Sequence, residues 1–248
     1  MDVGRQVHIL FIWRRYYMRS LLLSLCPILL WVFTVFYLFF IIVLMAQYHR
    51  RREPLFLLMG LITLGLFYDS LILSLGEVLP AGAALNAVSR MRYVSHGALI
   101  PLIFPICAYA LDLKRIPRTV VWIFTAVLIA LGIAEGFATE LVVQEVAGVT
   151  RYASGDGTPG WAHMVNGMLS YGTVVPLILV GIYVWIRQKT PALFLSGFLM
   201  FFFSAVGPAT GNFDLIFFIS MAGELFMVLF FYLYARRQAG ASCRNAAK

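Results

Sequence analysis

The chain has 248 residues, 62% of them hydrophobic and only 12% charged, with mean hydropathy +0.89 and a formal net charge of +8. Soluble domains carry about 25% charged residues, so this composition excludes an ordinary soluble globule and predicts an all-α, multi-pass membrane protein. The basic excess does not point to nucleic acid, because the arginines and lysines cluster at the ends of apolar runs, where they set membrane topology.

The first residues, 1–19, are read as a separate N-terminal segment. Residues 7–18, with Arg14, Arg15, Tyr16 and Tyr17, have the character of an interfacial helix. The apolar stretch His8–Trp13 is too short for a signal-peptide core, so neither a cleaved signal nor a soluble domain is expected. Apolar runs of about 20 residues or more then recur along residues 20–235 and predict a seven-helix membrane domain. The first covers residues 20–47 and contains Cys26 and Pro27. It is closed by the polar HRRRE at 49–53.

The second run, 54–79, carries an acid in its interior, Asp69, preceded by Tyr68 in GLFYDSLIL. A charge at mid-bilayer costs about 2.5–3.5 kcal/mol on insertion scales, so such a residue normally faces the bundle interior, a partner or a site of chemistry. The third run, 85–111, places Ser89, Arg92 and His96 at i, i+3, i+7 on one helical face, with Arg90 and Tyr93 beside them. Pro101 and Pro105 are expected to kink it and open space between helices. After LKRIPR at 113–118, the fourth run, 119–139, has Gly132 and Gly136 in GxxxG spacing, which close helix packing explains. Glu135 there, like Glu77, Asp112 and Asp214, lies near a span end, where solvation is the expected state.

Residues 140–160 form the one long connection, ending in the turn-rich SGDGTPG, and are placed to cover an entrance. The fifth run, 161–186, repeats the i, i+3, i+7 pattern with His163, Asn166 and Ser170, followed by Tyr171 and an internal Pro176. Beyond RQKT at 187–190 the sixth run, 191–211, offers Ser204, Thr210 and, just past it, Asn212. It also carries the GxxxG pair Gly207 and Gly211. The seventh, 213–235, holds Ser220 and a second intramembrane acid, Glu224, and a tail follows at 236–248. Cys26, Cys107 and Cys243 sit at different depths and form no CxxC pair.

Charge distribution predicts the orientation. Arg50, Arg51, Arg52, Lys114, Arg115, Arg118, Arg187, Lys189, Arg236, Arg237, Arg244 and Lys248 fall on one side of a seven-span chain. Arg5, Arg14, Arg15, Arg19, Arg90, Arg92 and Arg151 fall on the other. The positive-inside rule puts the C-terminus in the cytoplasm and the N-terminus outside, although the four N-terminal arginines pull the opposite way. On that frame Asp69, His96 and Glu224 each lie about 15 Å from the outer boundary at 1.5 Å per residue. Tyr68, Tyr93 and Tyr171 lie in the same outer half. A polar pocket is therefore expected there, over an apolar inner half.

Plainer readings accompany each residue. Asp69 pairs structurally with Arg90, Arg92 or His96 as readily as it does chemistry. Glu224 can accept a hydrogen bond from Ser220, His96 can be a satisfied buried histidine, and the tyrosines can be packing groups. Several chemistries fail on residue type. Zinc hydrolysis asks for three histidines where only His96 and His163 lie in spans. A retinal Schiff base needs an intramembrane lysine, and the only lysines are Lys114, Lys189 and Lys248. Aspartate-rich prenyl transfer needs a DDxxD-like cluster, which the chain lacks. Two carboxyls in a dry aromatic pocket suit another reaction. Burial favours the neutral acid, which can protonate an alkene or epoxide. Aromatic faces stabilise the resulting cation, and the other acid or a tyrosine takes the final proton.

With Asp69 in FYDS on the second span and Glu224 in AGEL on the seventh, the chain resembles the small integral membrane terpene cyclases of the fungal meroterpenoid and bacterial prenyl-indole types. These are seven-helix proteins of similar length, and in the fungal type paired acids on those two helices are implicated in protonation. The resemblance covers the chain in architecture and these two positions in chemistry, with the acid types exchanged between helices. The blocks YDSLILSLG and SRMRYVSHG are further family-like stretches with no activity attached to them. The resemblance implies cyclisation of a polyprenyl or prenylated small molecule without metal or cofactor. Asp69 and Glu224 would be the catalytic acids, supported by Tyr68, Arg90, Arg92, Tyr93 and His96. The alternative is a carrier or receptor that binds a lipid or amphiphile in the same pocket. A metal-free lipid hydrolase ranks lower, because no Ser–His pairing is evident. The partners expected are a lipophilic substrate and membrane lipids, with no nucleic acid.

Overall fold

The computed structural model describes the backbone of residues 3–146, 148–209 and 213–246, and the side chains of residues 24–146, 148–206 and 218–240. The long apolar runs form helices because a chain in lipid must satisfy its backbone polar groups internally. In order these are α1 (Val3–Arg51), α2 (Pro54–Leu75), α3 (Ala83–Leu99), α4 (Ile103–Ala110), α5 (Arg115–Ala138), α6 (Gly160–Gln188), α7 (Ala192–Ala209) and α8 (Phe213–Ala246). A single 3-10 turn at Ile100–Leu102, containing Pro101, joins α3 to α4, so the pair makes one bent span, Ala83–Ala110. The helix runs unbroken through Pro27 and Pro176. It is also continuous from residues 7–18 into the first span.

Six helical segments are long and apolar enough to cross a membrane: Ser24–Arg51, Pro54–Leu75, Ala83–Ala110, Arg115–Ala138, Gly160–Gln188 and Phe218–Gly240. Ala192–Val206 is a shorter apolar helix. The chain is a multi-pass helical membrane protein. Its outward faces carry large aliphatic and aromatic side chains such as Ile28, Val35, Ile123 and Leu179, as a hydrocarbon solvent requires. Neighbours in the bundle are α1 with α2, α3 with α5, α6 with α7, α7 with α8 and α8 with α1. The α2 segment and the bent α3–α4 span are the most buried of all, which places their polar residues inside the bundle.

Residues 140–160 correct the all-helical expectation. They form an antiparallel hairpin, β1 (Leu141–Val146) and β2 (Val149–Ser154), paired from Leu141 with Ser154 to Val146 with Val149. The segments LVVQEV and VTRYAS are rich in β-branched residues, and Gly148 supplies the positive φ of +79° that the tight turn needs. The hairpin lies across the end of α2, where the Thr150 amide donates to the Gly76 carbonyl at 3.1 Å. Any side chain at position 76 would collide with the Thr150 carbonyl.

The main apolar core fills the half of the bundle away from the hairpin, around Leu44, Met59, Ile103, Leu193 and Phe231. Near the hairpin, α3 and α5 approach through backbone alone. A methyl at Gly97 would strike the Gly132 carbonyl, and one at Gly132 the Gly97 carbonyl. One at Gly136 would come 2.6 Å from the Val94 nitrogen. The glycine spacing therefore makes a packing seam, and the seam brings Tyr93 and His96 on α3 against Glu135 on α5.

Candidate active site

A cleft of about 540 Å³, counting its open mouth, lies between α2, α3, α5 and α6 at the hairpin end. Its wall carries Asp69, Arg92, Tyr93, His96, Glu135, Asn166 and Ser170, with Gly97 and Leu169. Each helix contributes by its periodicity. Arg92 and His96 are four residues apart on α3, as are Asn166 and Ser170 on α6, so each pair presents one face. Ser89, on the same α3 face, is buried in the helix interface.

Arg92 organises the site. Its Nε stands 3.1 Å from Oδ1 of Asp69, with 9% of the arginine side chain and 22% of the aspartate side chain exposed. Its Nη2 donates to the Tyr152 carbonyl of β2 at 3.3 Å, and its guanidinium lies 5.1 Å from the Tyr93 ring centroid. One side chain thus joins an intramembrane acid, an aromatic wall and the covering hairpin. Of the three partners expected for Asp69, Arg90, Arg92 and His96, Arg92 makes the ion pair.

The other expected residues divide. His96 and Tyr93 line the cleft with Asp69. Tyr68 instead donates its hydroxyl to the Val88 carbonyl at 3.0 Å and ties α2 to α3. Arg90 does not join the acids. Its Nη1 donates to the carbonyls of Phe137 at 2.8 Å and Thr139 at 3.0 Å, closing the C-terminal end of α5. Tyr171 is 66% exposed and faces away from the cleft, a correction to its expected place in the pocket. It follows Ser170 by one residue, which turns it about 100° around the helix. Ser204 and Ser220 hydrogen-bond across α7 and α8 at 3.4 Å, while Thr210, Gly211 and Asn212 lie outside the described residues, as do the surroundings of Gly207 and the side chain of Asp214.

Glu224 does not line the cleft. It stands on α8, within electrostatic reach of both Asp69 and Arg92. No hydrogen bond or ion pair joins Glu224 to Asp69 among the described residues. The sequence reading missed a residue near both acids, Tyr37 of α1. It is fully buried, within reach of both acids, and its hydroxyl donates to the Met221 carbonyl at 3.4 Å, one turn before Glu224. An apolar span with no polar stripe gives no sign of which way one tyrosine points.

Glu135 was also misjudged. It is 4% exposed rather than solvated, because α3 and α6 pack against α5. Its Oε1 accepts hydrogen bonds from Thr139 Oγ1 at 3.0 Å and Asn166 Nδ2 at 3.4 Å. Ser170 in turn donates to Asn166 Oδ1 at 3.3 Å. His163, exposed one turn before Asn166, is close enough for its charge to act on Glu135.

The arrangement holds a fixed ion pair, a second buried carboxyl, an imidazole and an aromatic ring around one space in the bundle. Among the described residues no three His, Cys, Asp or Glu side chains gather as metal ligands would. No protein-family model and no curated protein sequence matches the chain.

Proposed function

We propose that this protein is a membrane-embedded terpene cyclase. It protonates an alkene or epoxide of a polyprenyl or prenylated small molecule and releases a cyclised isomer. The observation that carries this reading is the Asp69–Arg92 ion pair opening on a cleft inside apolar helices. A carbocation needs nearby negative charge, aromatic faces and exclusion of water. The paired carboxylate supplies the first, Tyr93 the second, and the hairpin with the close α3–α5 seam contributes to the third.

In this mechanism Asp69, paired with Arg92, faces the developing cation and takes up the proton lost at the end of the cyclisation. Glu224, on α8 and outside the cleft wall, acts through the electrostatic field it shares with Asp69 and Arg92. His96 lies on the cleft wall between Arg92 and the Gly97 seam, placed to relay that proton. The substrate enters sideways from the lipid. Met164, Met168 and Tyr171 of α6 are exposed on the helix that also presents Asn166 and Ser170 to the cleft.

The full topology belongs to the same proposal. The α7 helix makes a seventh crossing of the cell membrane, the N-terminus and hairpin lie outside, and residues 236–248 form a cytoplasmic tail.

One observation favours a second reading, a carrier or receptor for an amphiphile. Arg92 links the cleft to the hairpin through Tyr152, so a ligand that competes for Arg92 would also loosen the cover. The experiment that separates the two incubates membranes containing the protein with farnesylated and geranylgeranylated small molecules and their epoxides. Mass spectrometry then looks for isomers of unchanged mass. A new isomer supports the cyclase. Ligand-induced change at the hairpin with no isomer from any compound supports the carrier.

A further inference from the structure

We infer that Asn166 and Ser170 of α6 form the subsite that holds the polar head of the cleft's ligand, and that this head is a hydroxyl group on a prenyl chain. The hydroxyl assignment stands without the cyclase reading above; the prenyl character of the chain rests on it.

Helix α6 sets the two side chains one turn apart on the cleft wall, with Leu169 beside them. Hydroxyls inside helices commonly donate to the carbonyl four residues earlier. Thr63, Thr125 and Thr173 of the spanning helices do so at 2.7, 2.8 and 2.7 Å. Ser170 does not. Its hydroxyl turns along the cleft wall to Asn166 Oδ1 at 3.3 Å, and Asn166 Nδ2 donates onward to Glu135 Oε1 at 3.4 Å. Both bonds are longer than the ordinary range of about 2.5–3.2 Å, so neither side chain is locked by its neighbour.

The hydrogen-bonding capacity left over decides the ligand chemistry. A carboxamide nitrogen carries two hydrogens, and a serine oxygen accepts as well as donates. Among the described residues, one Asn166 N–H and the accepting side of Ser170 Oγ have no protein partner. They are neighbours on a wall between apolar helices, where an unmet polar group is costly. A hydroxyl satisfies both at once, accepting from Asn166 Nδ2 and donating to Ser170 Oγ. An ether only accepts, and a hydrocarbon does neither. The charged wall is already committed, because Asp69 and Arg92 stand 3.1 Å apart and Arg92 also holds the Tyr152 carbonyl.

On the cyclase reading the subsite also orients the chain. A head held on α6 leaves the apolar part to run past Tyr93 toward Asp69, so the double bond that reacts lies away from the hydroxyl. Asn166 and Ser170 then act by positioning and selecting the substrate, and take no part in proton transfer.

The test measures melting temperatures of the full chain in lipid nanodiscs against the mole fraction of ligand in the lipid. The probes are farnesol, farnesyl methyl ether and farnesene, with hexadecanol and its methyl ether as an unbranched pair. Wild type should reach half-saturation with farnesol at a mole fraction about 2- to 10-fold below that for the methyl ether, the worth of one hydrogen bond. Farnesene should bind more weakly than either. Ser170→Ala removes the acceptor, so alcohol and ether should become equal. Ser170→Thr, which keeps the hydroxyl, should restore the preference. Both variants should melt like wild type without ligand, which separates a lost contact from a lost fold. Equal half-saturation of wild type by alcohol and ether overturns the subsite. So does a Ser170→Ala variant that keeps the preference, or the absence of a saturable shift with either alcohol. A preference confined to the hexadecanol pair keeps the subsite and overturns the prenyl chain. Mass spectrometry of the farnesylated and geranylgeranylated compounds reads the cyclase separately: alcohol binding with no isomer from any of them leaves the subsite standing and sinks the cyclase.

Discussion

Asp69 and Arg92 meet 3.1 Å apart on the two most buried spans of the bundle, and the same arginine holds the Tyr152 carbonyl of the hairpin. The pair therefore couples the polar centre of the membrane domain to its cover. An intramembrane acid is tolerated here because it arrives with its own counter-charge, and the arginine because it faces that acid, a backbone carbonyl and an aromatic ring.

This pair should be measurable by a double-mutant cycle of Asp69→Asn and Arg92→Met, read by thermal unfolding in detergent. Neither side chain is fully exposed nor fully dry, so the coupling should fall between the surface and buried cases, at about 1–3 kcal/mol. Arg92→Met should be the more damaging single change, because it strips the counter-charge from Asp69 and also frees the Tyr152 carbonyl. A coupling near zero would mean the two groups are independently solvated.

The hairpin should detach locally when position 76 gains a side chain. Gly76→Ala puts a methyl against the Thr150 carbonyl and breaks the Thr150 N–H bond to the Gly76 carbonyl. Hydrogen exchange at β2 should accelerate while exchange in α4 and α8 stays unchanged. Slow β2 exchange in the variant would show that the hairpin is not seated on α2 in the membrane.

The glycine seam should be intolerant of a single methyl. Gly97→Ala and Gly132→Ala each force α3 and α5 apart against backbone atoms. Each should cost about 1–3 kcal/mol of stability, as overpacking of a tight core does. Gly167→Ala, where nothing lies within 4 Å of the added atom, should be neutral or slightly stabilising. Equal melting temperatures for all three variants would remove the seam from the account.

Much of this was legible in the sequence, for a physical reason. Apolar runs long enough to span a bilayer have few alternatives to helix, so the runs 54–79, 119–139 and 161–186 appear close to α2, α5 and α6. The i, i+3, i+7 spacing of Arg92 with His96, and of Asn166 with Ser170, correctly put those side chains on the cleft. Rotation and neighbours were not legible. Tyr37 sits in a span apolar on every side, and Tyr171 differs from Ser170 only by one step around the helix. Glu135 stands near a span end, where the default is water, and only the packing of α3 and α6 on α5 removes it. The hairpin did leave a signal, two β-branched six-residue segments around Gly148. A connection between membrane helices is not where strands are expected.

The central claim is that a protonation-initiated cyclisation runs in this cleft, and one comparison tests it most directly. Rates of isomer formation from a converted prenylated substrate are measured for wild type, Asp69→Asn and Glu224→Gln at equal amounts of folded protein in membranes. The account predicts that Asp69→Asn loses at least 100-fold in rate, within the roughly 10²–10⁴ that general acid–base groups contribute, and that Glu224→Gln, at a residue that acts only through its field on Asp69, slows by a smaller factor, while hairpin exchange shows the bundle intact. Wild-type rates in both variants would contradict it.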